Sequence, residues 1–466
     1  MQQHRIFGTD GVRGRVGKPP MTPQVVMQLA QAYGSLLVEQ VGSPAAGTSI
    51  HLDRPAVVVG TDTRISCSML EAALQAGFAA AGVDTVLCGV LPTPGVAYIA
   101  RLRGFQAGVV VSASHNRFED NGIKLFSGRG DKLDDEAEAA IERRMGVPLA
   151  CVPSRQLGQG WRMPTAAGLY VDFCKRSLPA DVGLYGMRIV IDAANGACHE
   201  VATQVFEQLG AHVVVVGSSP TGININEGVG ATCPQHLSEM VCHHRADVGI
   251  ALDGDGDRLV MADATGRIFD GDQLLYLLAL DAQLRQDRCE GVVGTVMSNF
   301  GLEQALLERG MGFARADVGD RHVLQMLHQL GWRLGGETSG HILCLDRHTT
   351  GDGIIAALQV LGTMRRWHRD LAQLCEGLSL HAQCLISVPL PSGKRWTTDS
   401  TRRCVHHAER ALKGQGRVLL RASGTEPVVR VMVECPEIQR AARLARALAA
   451  DVAQALDDLP RQTLSA

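Results

Sequence analysis

The sequence predicts an α/β protein: three similar α/β domains with mixed, largely parallel sheets, followed by a C-terminal α+β domain. Three observations carry that reading. A strand–helix–strand pattern occurs three times at about one domain length. The last stretch of the chain, from about residue 379, follows another pattern. The chain has 466 residues, and single hydrophobic cores stop growing at roughly 250–300 residues.

In the first repeat, Ala56–Val59 is an apolar strand ending in Gly60. A helix starts at about Ser68, with Ser68 and Glu71 as a capping box, and ends near Gly82; Thr85–Leu87 is the next strand. In the second, strand Arg188–Ile191 ends in Asp192, a helix runs to about Leu209, and Val213–Val216 is a strand. In the third, Val292–Val296 precedes a helix near Leu302–Arg309 and the strand Phe313–Ala316. The C-terminal part reads as a strand at Leu385–Leu390, a polar helix at Asp399–Leu412, strands Val418–Arg421 and Val428–Glu434 around a turn, and a long closing helix. Val152–Pro164, rich in Pro, Gly and polar residues, reads as the first linker, and Ser43–Asp53 as a surface loop.

Composition narrows the function. Apolar residues are 45% and charged residues 20%, the balance of an ordinary soluble globular protein. A net charge of -3, no polybasic block and 4% aromatics predict no nucleic-acid partner. Thirteen scattered cysteines without a C-x-x-C pair, and an N-terminus unlike a signal peptide, predict a reducing cytoplasm and no disulfide framework. No apolar run approaches the ~20 residues that span a bilayer, so no membrane partner is expected.

Asp253, Gly254, Asp255, Gly256, Asp257 and Arg258 are the hardest residues to explain away. On an extended segment, residues two apart point the same way, so three carboxylates converge, at a cost in repulsion unless a cation is bound. All-oxygen ligation suits Mg²⁺ or Ca²⁺. An exposed acidic turn would carry the same spacing. An EF-hand loop would not, because its sixth and twelfth positions are Arg258 and Ala264. The turn Arg421, Ala422, Ser423, Gly424, Thr425, Glu426, Pro427, with Arg430 beyond, offers two guanidiniums, two hydroxyls and a glycine, a fit for an oxyanion. Glu337, Thr338, Ser339 and His341 lie between glycines in a loop that could read sugar hydroxyls. Ser112, Ala113, Ser114, His115 and Asn116 end an apolar strand, either as a polar turn or as a serine displayed for chemistry. G-x-x-x-x-G-K-[ST] and G-x-S-x-G are both missing, which removes the usual sequence support for P-loop and nucleophile-elbow chemistry. A serine, a nearby base, a Mg²⁺ site and a remote phosphate cradle are the parts of a phosphoryl-transfer enzyme.

Six segments together resemble the α-D-phosphohexomutase family: FGTDGVRG at Phe7–Gly14, DTR at Asp62–Arg64, SASHN at Ser112–Asn116 with NGIK at Asn121–Lys124, DGDGDR at Asp253–Arg258, GGETSGH at Gly335–His341 and RASGTEP at Arg421–Pro427. They stand in the family's order and span nearly the whole chain. The resemblance implies four domains around a central cleft, at 1–155, 165–260, 261–375 and 379–466. It implies that Ser114 is the phosphorylated serine and that Mg²⁺ bridges its phosphate to Asp253, Asp255 and Asp257. Arg13, His115 and Lys124 take the charge-stabilising and acid/base places, with Lys124 moving the proton. Arg258, Glu337, Ser339 and His341 are expected at the sugar, and Arg421, Ser423, Gly424, Thr425 and Arg430 at the phosphate that is not transferred. Sugar 1,6-bisphosphate is the implied activator.

FGTDGVRG and the length favour the family's amino-sugar branch, interconverting glucosamine 6-phosphate and glucosamine 1-phosphate. The alternatives are phosphomannomutase/phosphoglucomutase and, from another class, a Mg²⁺-dependent sugar phosphatase. The expected partner is a small hexosamine phosphate, with a homodimer left open. Two positions depart from the family's pattern. Arg117 stands where proline usually follows SASHN, either loosening the loop or adding a cation near the phosphate. Cys67 stands where glycine usually follows DTRIS.

Overall fold

The computed structural model describes residues 5–41, 54–148, 150–179, 181–285, 289–390, 396–422 and 427–457. They fall into two compact units. The first runs to Thr295 and includes Ala314–Cys375; the second joins Val296–Phe313 to the chain from Glu376 onward.

The first unit opens with β1 (Val12–Arg15), α1 (Pro23–Val41), β2 (Ala56–Thr61), α2 (Cys67–Ala80), β3 (Asp84–Val90), α3 (Thr93–Arg103), β4 (Ala107–Val111), β5 (Asp120–Ser127), α4 (Asp135–Met145) and β6 (Gly160–Arg162). Its sheet has the order β1-β5-β4-β2-β3-β6. Strands β4, β2, β3 and β6 are parallel, and β5 and β1 add antiparallel. Next come α5 (Ala166–Arg176), β7 (Arg188–Asp192), α6 (Val201–Gln208), β8 (His212–Val216), α7 (Pro234–His244), β9 (Val248–Leu252), β10 (Leu259–Asp263) and β11 (Ile268–Phe269), in a sheet ordered β11-β10-β9-β7-β8. The third group, of which α9 and the start of β13 belong to the second unit, is α8 (Gly271–Leu284), β12 (Gly291–Thr295), α9 (Phe300–Glu308), β13 (Gly312–Ala316), α10 (Asp320–Leu330), β14 (Leu334–Gly336), β15 (Ile342–Cys344), α11 (Gly353–Trp367) and α12 (Leu371–Leu374), with sheet order β13-β12-β14-β15.

The cause of this architecture is visible in the strands. β2, β4 and β9 are apolar runs buried at every residue, as strands covered on both faces must be. Helices α1 and α2 cover one face of the first sheet, adding Val26, Leu29, Leu70, Leu74 and Phe78 to its core. In such sheets ligands gather beyond the carboxyl ends of the strands. Asp62 and Arg64 follow β2, Ser114 follows β4, and Asp253 follows β9.

The second unit adds β16 (Ala382–Pro389), α13 (Asp399–Leu412), β17 (Arg417–Ala422), β18 (Val428–Cys435) and α14 (Ile438–Asp457). Its sheet, β16-β18-β17, is wholly antiparallel. Val429, Val431 and Val433 alternate inward and meet Ala441, Ala445, Leu448 and Val452, which recur at helical spacing on α14. Glu434 is fully buried and accepts from Arg417 Nε at 2.8 Å, Phe300 N at 2.7 Å and Gln383 Nε2 at 3.0 Å. The third strand–helix–strand unit is thus present in sequence as expected, but its helix α9 belongs to the second unit.

Two further local expectations differ from the structure. Helix α2 starts at Cys67, one residue before Ser68. Its N-cap is Ser66, in helical conformation and without a side-chain cap bond; the Ser66 hydroxyl instead accepts from Asn121 Nδ2 at 2.8 Å. The linker Val152–Pro164 contains β6, which pairs in parallel with β3. The loop Ser43–Asp53 lies outside the described residues. Among the described residues, no helix is long and apolar enough to cross a membrane.

His348 shows how the core supports the site. Its buried ring donates from Nε2 to Pro94 O at 2.9 Å, at the start of α3, while Nδ1 accepts from Thr349 N at 2.8 Å. Burial is the main cause that lowers its pKa from 6.5 to about 4. The unfolded chain therefore takes up a proton that the folded ring refuses. This contribution is complete above pH 6.5 and is lost as pH falls toward 4, at a cost of about 3 kcal/mol. Urea unfolding at pH 7 and pH 4.5 is expected to show a smaller acid loss in His348→Gln than in the parent; equal losses would contradict the assignment.

Candidate active site

Ser114 is buried, with its hydroxyl donating to Asp253 Oδ2 at 2.6 Å and lying 3.3 Å from His115 Nδ1. Its φ is 51°, in the left-handed region that a residue with a Cβ normally avoids. The two serines of the motif separate by role. Ser112 Oγ donates to Asp62 Oδ2 at 2.6 Å and accepts from Ser114 N at 3.0 Å, so it is a strut, whereas the Ser114 hydroxyl faces Asp253.

The three aspartates lie on the loop between the antiparallel strands β9 and β10, not on an extended segment. Gly256, at φ 75°, curls this loop so that the carboxylates converge. One ligand oxygen from each of Asp253, Asp255 and Asp257 lies within 4.8 Å of the others. Lys124, projected from β5 and 2% exposed, binds Asp255 Oδ2 at 2.7 Å, Asp257 Oδ2 at 2.9 Å and Asp10 Oδ2 at 3.2 Å. Thr93 Oγ1 donates to Asp255 Oδ2 at 2.5 Å. The outer oxygens, Oδ1 of Asp255 and Oδ1 of Asp257, are buried with no hydrogen-bond partner. Two buried carboxylate oxygens without a hydrogen bond, in an all-oxygen cluster, fit a hard divalent cation.

The electrostatics express the same crowding. Burial, then the charges of Asp257 and Asp255, push Asp253 up to about 8. Burial also acts upward on Asp257, but the Lys124 ammonium and His341 hold it well below the usual carboxylate range. Burial acts to strip Lys124 of its proton, yet Asp10, Asp255 and Asp257 hold it well above its ordinary value. Burial, reinforced by Arg258 and Arg13, lowers His115 to about 4, so its ring is neutral at pH 7.

Arg13 pairs with Asp10, and Arg258 donates its backbone N–H to Asp253 Oδ1 at 3.1 Å. Glu337, Ser339 and His341 lie between β14 and β15. Glu337 Oε1 accepts from Gly319 N at 2.9 Å, and Ser339 Oγ is 3.4 Å from Glu337 Oε2. Gly340 O accepts from Leu259 N at 2.9 Å, tying this loop to the end of the aspartate loop. His341 is buried between Asp257, 3.6 Å away, and Asp320, 3.4 Å away; it faces the aspartates, while Ser339 is exposed. In the second unit, Arg421 and Arg430 are directly opposed across β17 and β18. Like charges so placed repel unless an anion joins them. Ser423, Gly424 and Thr425 lie outside the described residues.

Sequence profiles of the phosphoglucomutase/phosphomannomutase family match in chain order: alpha/beta/alpha domain I over residues 4–147, domain II over 169–266, domain III over 270–380 and the C-terminal domain over 385–451. The chain belongs to the phosphoglucomutase/phosphomannomutase family. Within that family it is 55% identical to the phosphoglucosamine mutase of Azoarcus sp. (strain BH72), covering 96% of this chain and 98% of the relative. It is 53% identical to that of Burkholderia pseudomallei, covering 97% and 99%. Among solved structures, a phosphoglucomutase/phosphomannomutase family protein from Burkholderia thailandensis superposes with a TM-score of 0.79 at 25% identity, over 98% of this chain and 99% of that one.

Two polar residues at this family site carried no chemical role in the sequence reading. Arg64 is part of the DTR motif, and Asn226 is in no motif; both reach the Ser114 loop through backbone carbonyls, a contact that residue type does not announce. Gly254 is required by proximity: a Cβ there would lie 2.6 Å from Ser114 O and 2.8 Å from Asn226 Nδ2. Gly254→Ala is expected to push the serine and aspartate loops apart and lower kcat by roughly 10²-fold. Steady-state kinetics check this, and an unchanged kcat would show that the loops tolerate separation.

Proposed function

We propose that this protein interconverts glucosamine 6-phosphate and glucosamine 1-phosphate, as an isomerase that carries the phosphoryl group on Ser114. The observation that carries the reading is the Ser114 hydroxyl set 2.6 Å from Asp253, a member of a buried aspartate triad in which two oxygens accept no hydrogen bond. The phosphatase and hexose-phosphate alternatives have no observation that favours them over this one.

In the forward half-reaction the bond from phosphorus to Ser114 Oγ breaks as a bond to the substrate's free hydroxyl forms. The product of that step is a 1,6-bisphosphate, which turns over in the site and returns its other phosphoryl group to Ser114. The proton of the sugar hydroxyl must finally reach the freed Oγ. Lys124, ion-paired to three carboxylates, is the proton-carrying cation, and His115 lies within reach of Oγ. Asp253, Asp255 and Asp257 would hold Mg²⁺, which when bound supplies positive charge against the phosphoryl oxygens. Arg13 and Arg258 add fixed cations, Glu337 and Ser339 hold sugar hydroxyls, and Arg421 and Arg430, with Ser423, Gly424 and Thr425, hold the resting phosphate. Sugar 1,6-bisphosphate primes the serine. The four domains divide at 1–155, 165–260, 261–375 and 379–466, and the enzyme works in the cytoplasm on amino-sugar precursors.

The test is ³¹P NMR of glucosamine 6-phosphate with enzyme, Mg²⁺ and a trace of glucose 1,6-bisphosphate, beside glucose and mannose phosphates. Glucosamine 1-phosphate is expected to form fastest. Release of inorganic phosphate without an isomer would mean a phosphatase; faster turnover of the hexose phosphates would move the enzyme to another branch.

A further inference from the structure

We infer that Arg64 and Asn226 are positioning residues, which lock the Ser114 loop in the single backbone conformation that aims the serine hydroxyl at Asp253. The inference rests on the reading of Ser114 as the phosphoryl carrier.

Arg64 has five N–H groups, and every one is committed. Nε donates to Asp62 Oδ2 at 2.8 Å. Nη2 donates to Ser114 O and to Asn116 O, each at 2.9 Å. Nη1 donates to Arg117 O and to Asp120 O, the latter at 3.0 Å. Four of the five hydrogen bonds thus end on carbonyls of one loop, 114–120, and the fifth orients the planar fork. The side chain is fully buried. A guanidinium with no donor left cannot also hold a substrate phosphate, so any effect of Arg64 on catalysis passes through Ser114.

Asn226 completes the grip from another sheet. It lies on the loop between β8 and α7, where its own N–H binds Ala194 O at 2.9 Å. Its side-chain amide donates to the same two carbonyls, Ser114 O and Asn116 O, each at 2.9 Å. Both lone pairs of each carbonyl are then used, one by Arg64 and one by Asn226. The left-handed φ of Ser114 needs such support, since its side chain disfavours that conformation. Arg117 adds no rigidity through its ring-less backbone, and its side chain turns outward to Glu227 at 2.5 Å, so the two clamps, with the Ser112 strut on Ser114 N and the Asn116–Asp120 bond, fix the loop.

Three variants test this: Arg64→Lys, which keeps the charge and loses the fork, Asn226→Ala, and Asn226→Asp, which replaces the donor with an acceptor of the same shape. Two readouts are taken. Hydrogen–deuterium exchange of the 109–120 peptide needs no turnover, so it stands even where the assigned reaction is wrong. Steady-state kinetics on glucosamine 6-phosphate then link the loop to the chemistry. The expected result is faster exchange confined to this peptide in all three variants. With it, kcat falls ~10²-fold in Arg64→Lys and Asn226→Asp, and ~10-fold in Asn226→Ala, with KM unchanged. Unchanged exchange together with an unchanged kcat overturns the inference, as does a rise in KM at constant kcat, which would place these groups on the substrate. If the parent enzyme turns over none of the sugar phosphates while the exchange pattern appears, the functional reading fails and the clamp stands. Should Arg64→Lys not fold, the two Asn226 variants decide alone.

Discussion

Ser114→Ala is expected to lower turnover by roughly 10⁴-fold or more while leaving the fold intact. The size follows from the lack of a substitute. Ser112 is the nearest hydroxyl in sequence, and its oxygen is already engaged by Asp62 and by Ser114 N. The imidazole of His115 reaches the serine oxygen but offers no second hydroxyl to carry the group. Removal of Oγ deletes one hydrogen bond to Asp253 and leaves the backbone clamps in place, so thermal unfolding should shift little. The checks are kcat and a melting curve. Turnover within tenfold of the parent would move the phosphoryl carrier to another residue.

Lys124→Met carries the second large effect, on stability as well as on rate. The ammonium is the cation between Asp255 and Asp257 and is shared with Asp10. Met matches its stem and removes the charge, which leaves buried carboxylates without compensation. Breaking a buried pair in this way costs about 3–5 kcal/mol. A divalent cation bound to the same carboxylates in the folded state would restore part of the loss by mass action. The variant should therefore melt well below the parent in EDTA and regain some of the difference in Mg²⁺. Turnover should fall by roughly 10²–10⁴-fold, the usual worth of a proton-transfer group. An unchanged melting curve in EDTA would show that the three carboxylates do not depend on Lys124.

How much of this was legible depends on the distance over which each feature is encoded. The parallel strands were readable because β2, β7 and β12 are short apolar runs, and the helix Asp399–Leu412 because its polar pattern is local. The aspartate cluster was readable because its three carboxylates are two residues apart with glycines between them that let the backbone curl; the segment is a curled loop and not an extended one. The meeting of Ser114 with Asp253, 139 residues away, came from the family resemblance and not from spacing. Edge strand β6 was hidden in a Pro- and Gly-rich stretch because its pairing is supplied by β3. The Arg64 and Asn226 clamps were hidden because they act on backbone carbonyls, which every residue has. Arg117 shows the same limit: its side-chain partner Glu227 lies 110 residues on.

The most direct test of the account is a single-turnover transfer experiment. Enzyme labelled with ³²P on Ser114, verified by peptide mass, is mixed with unlabelled glucosamine 6-phosphate and Mg²⁺ and quenched over time. The account predicts that label leaves Ser114 for the sugar, first as bisphosphate and then as glucosamine 1-phosphate, while the enzyme stays phosphorylated with unlabelled phosphate from the substrate. Label that stays on Ser114 during turnover, or departs as inorganic phosphate, would contradict it.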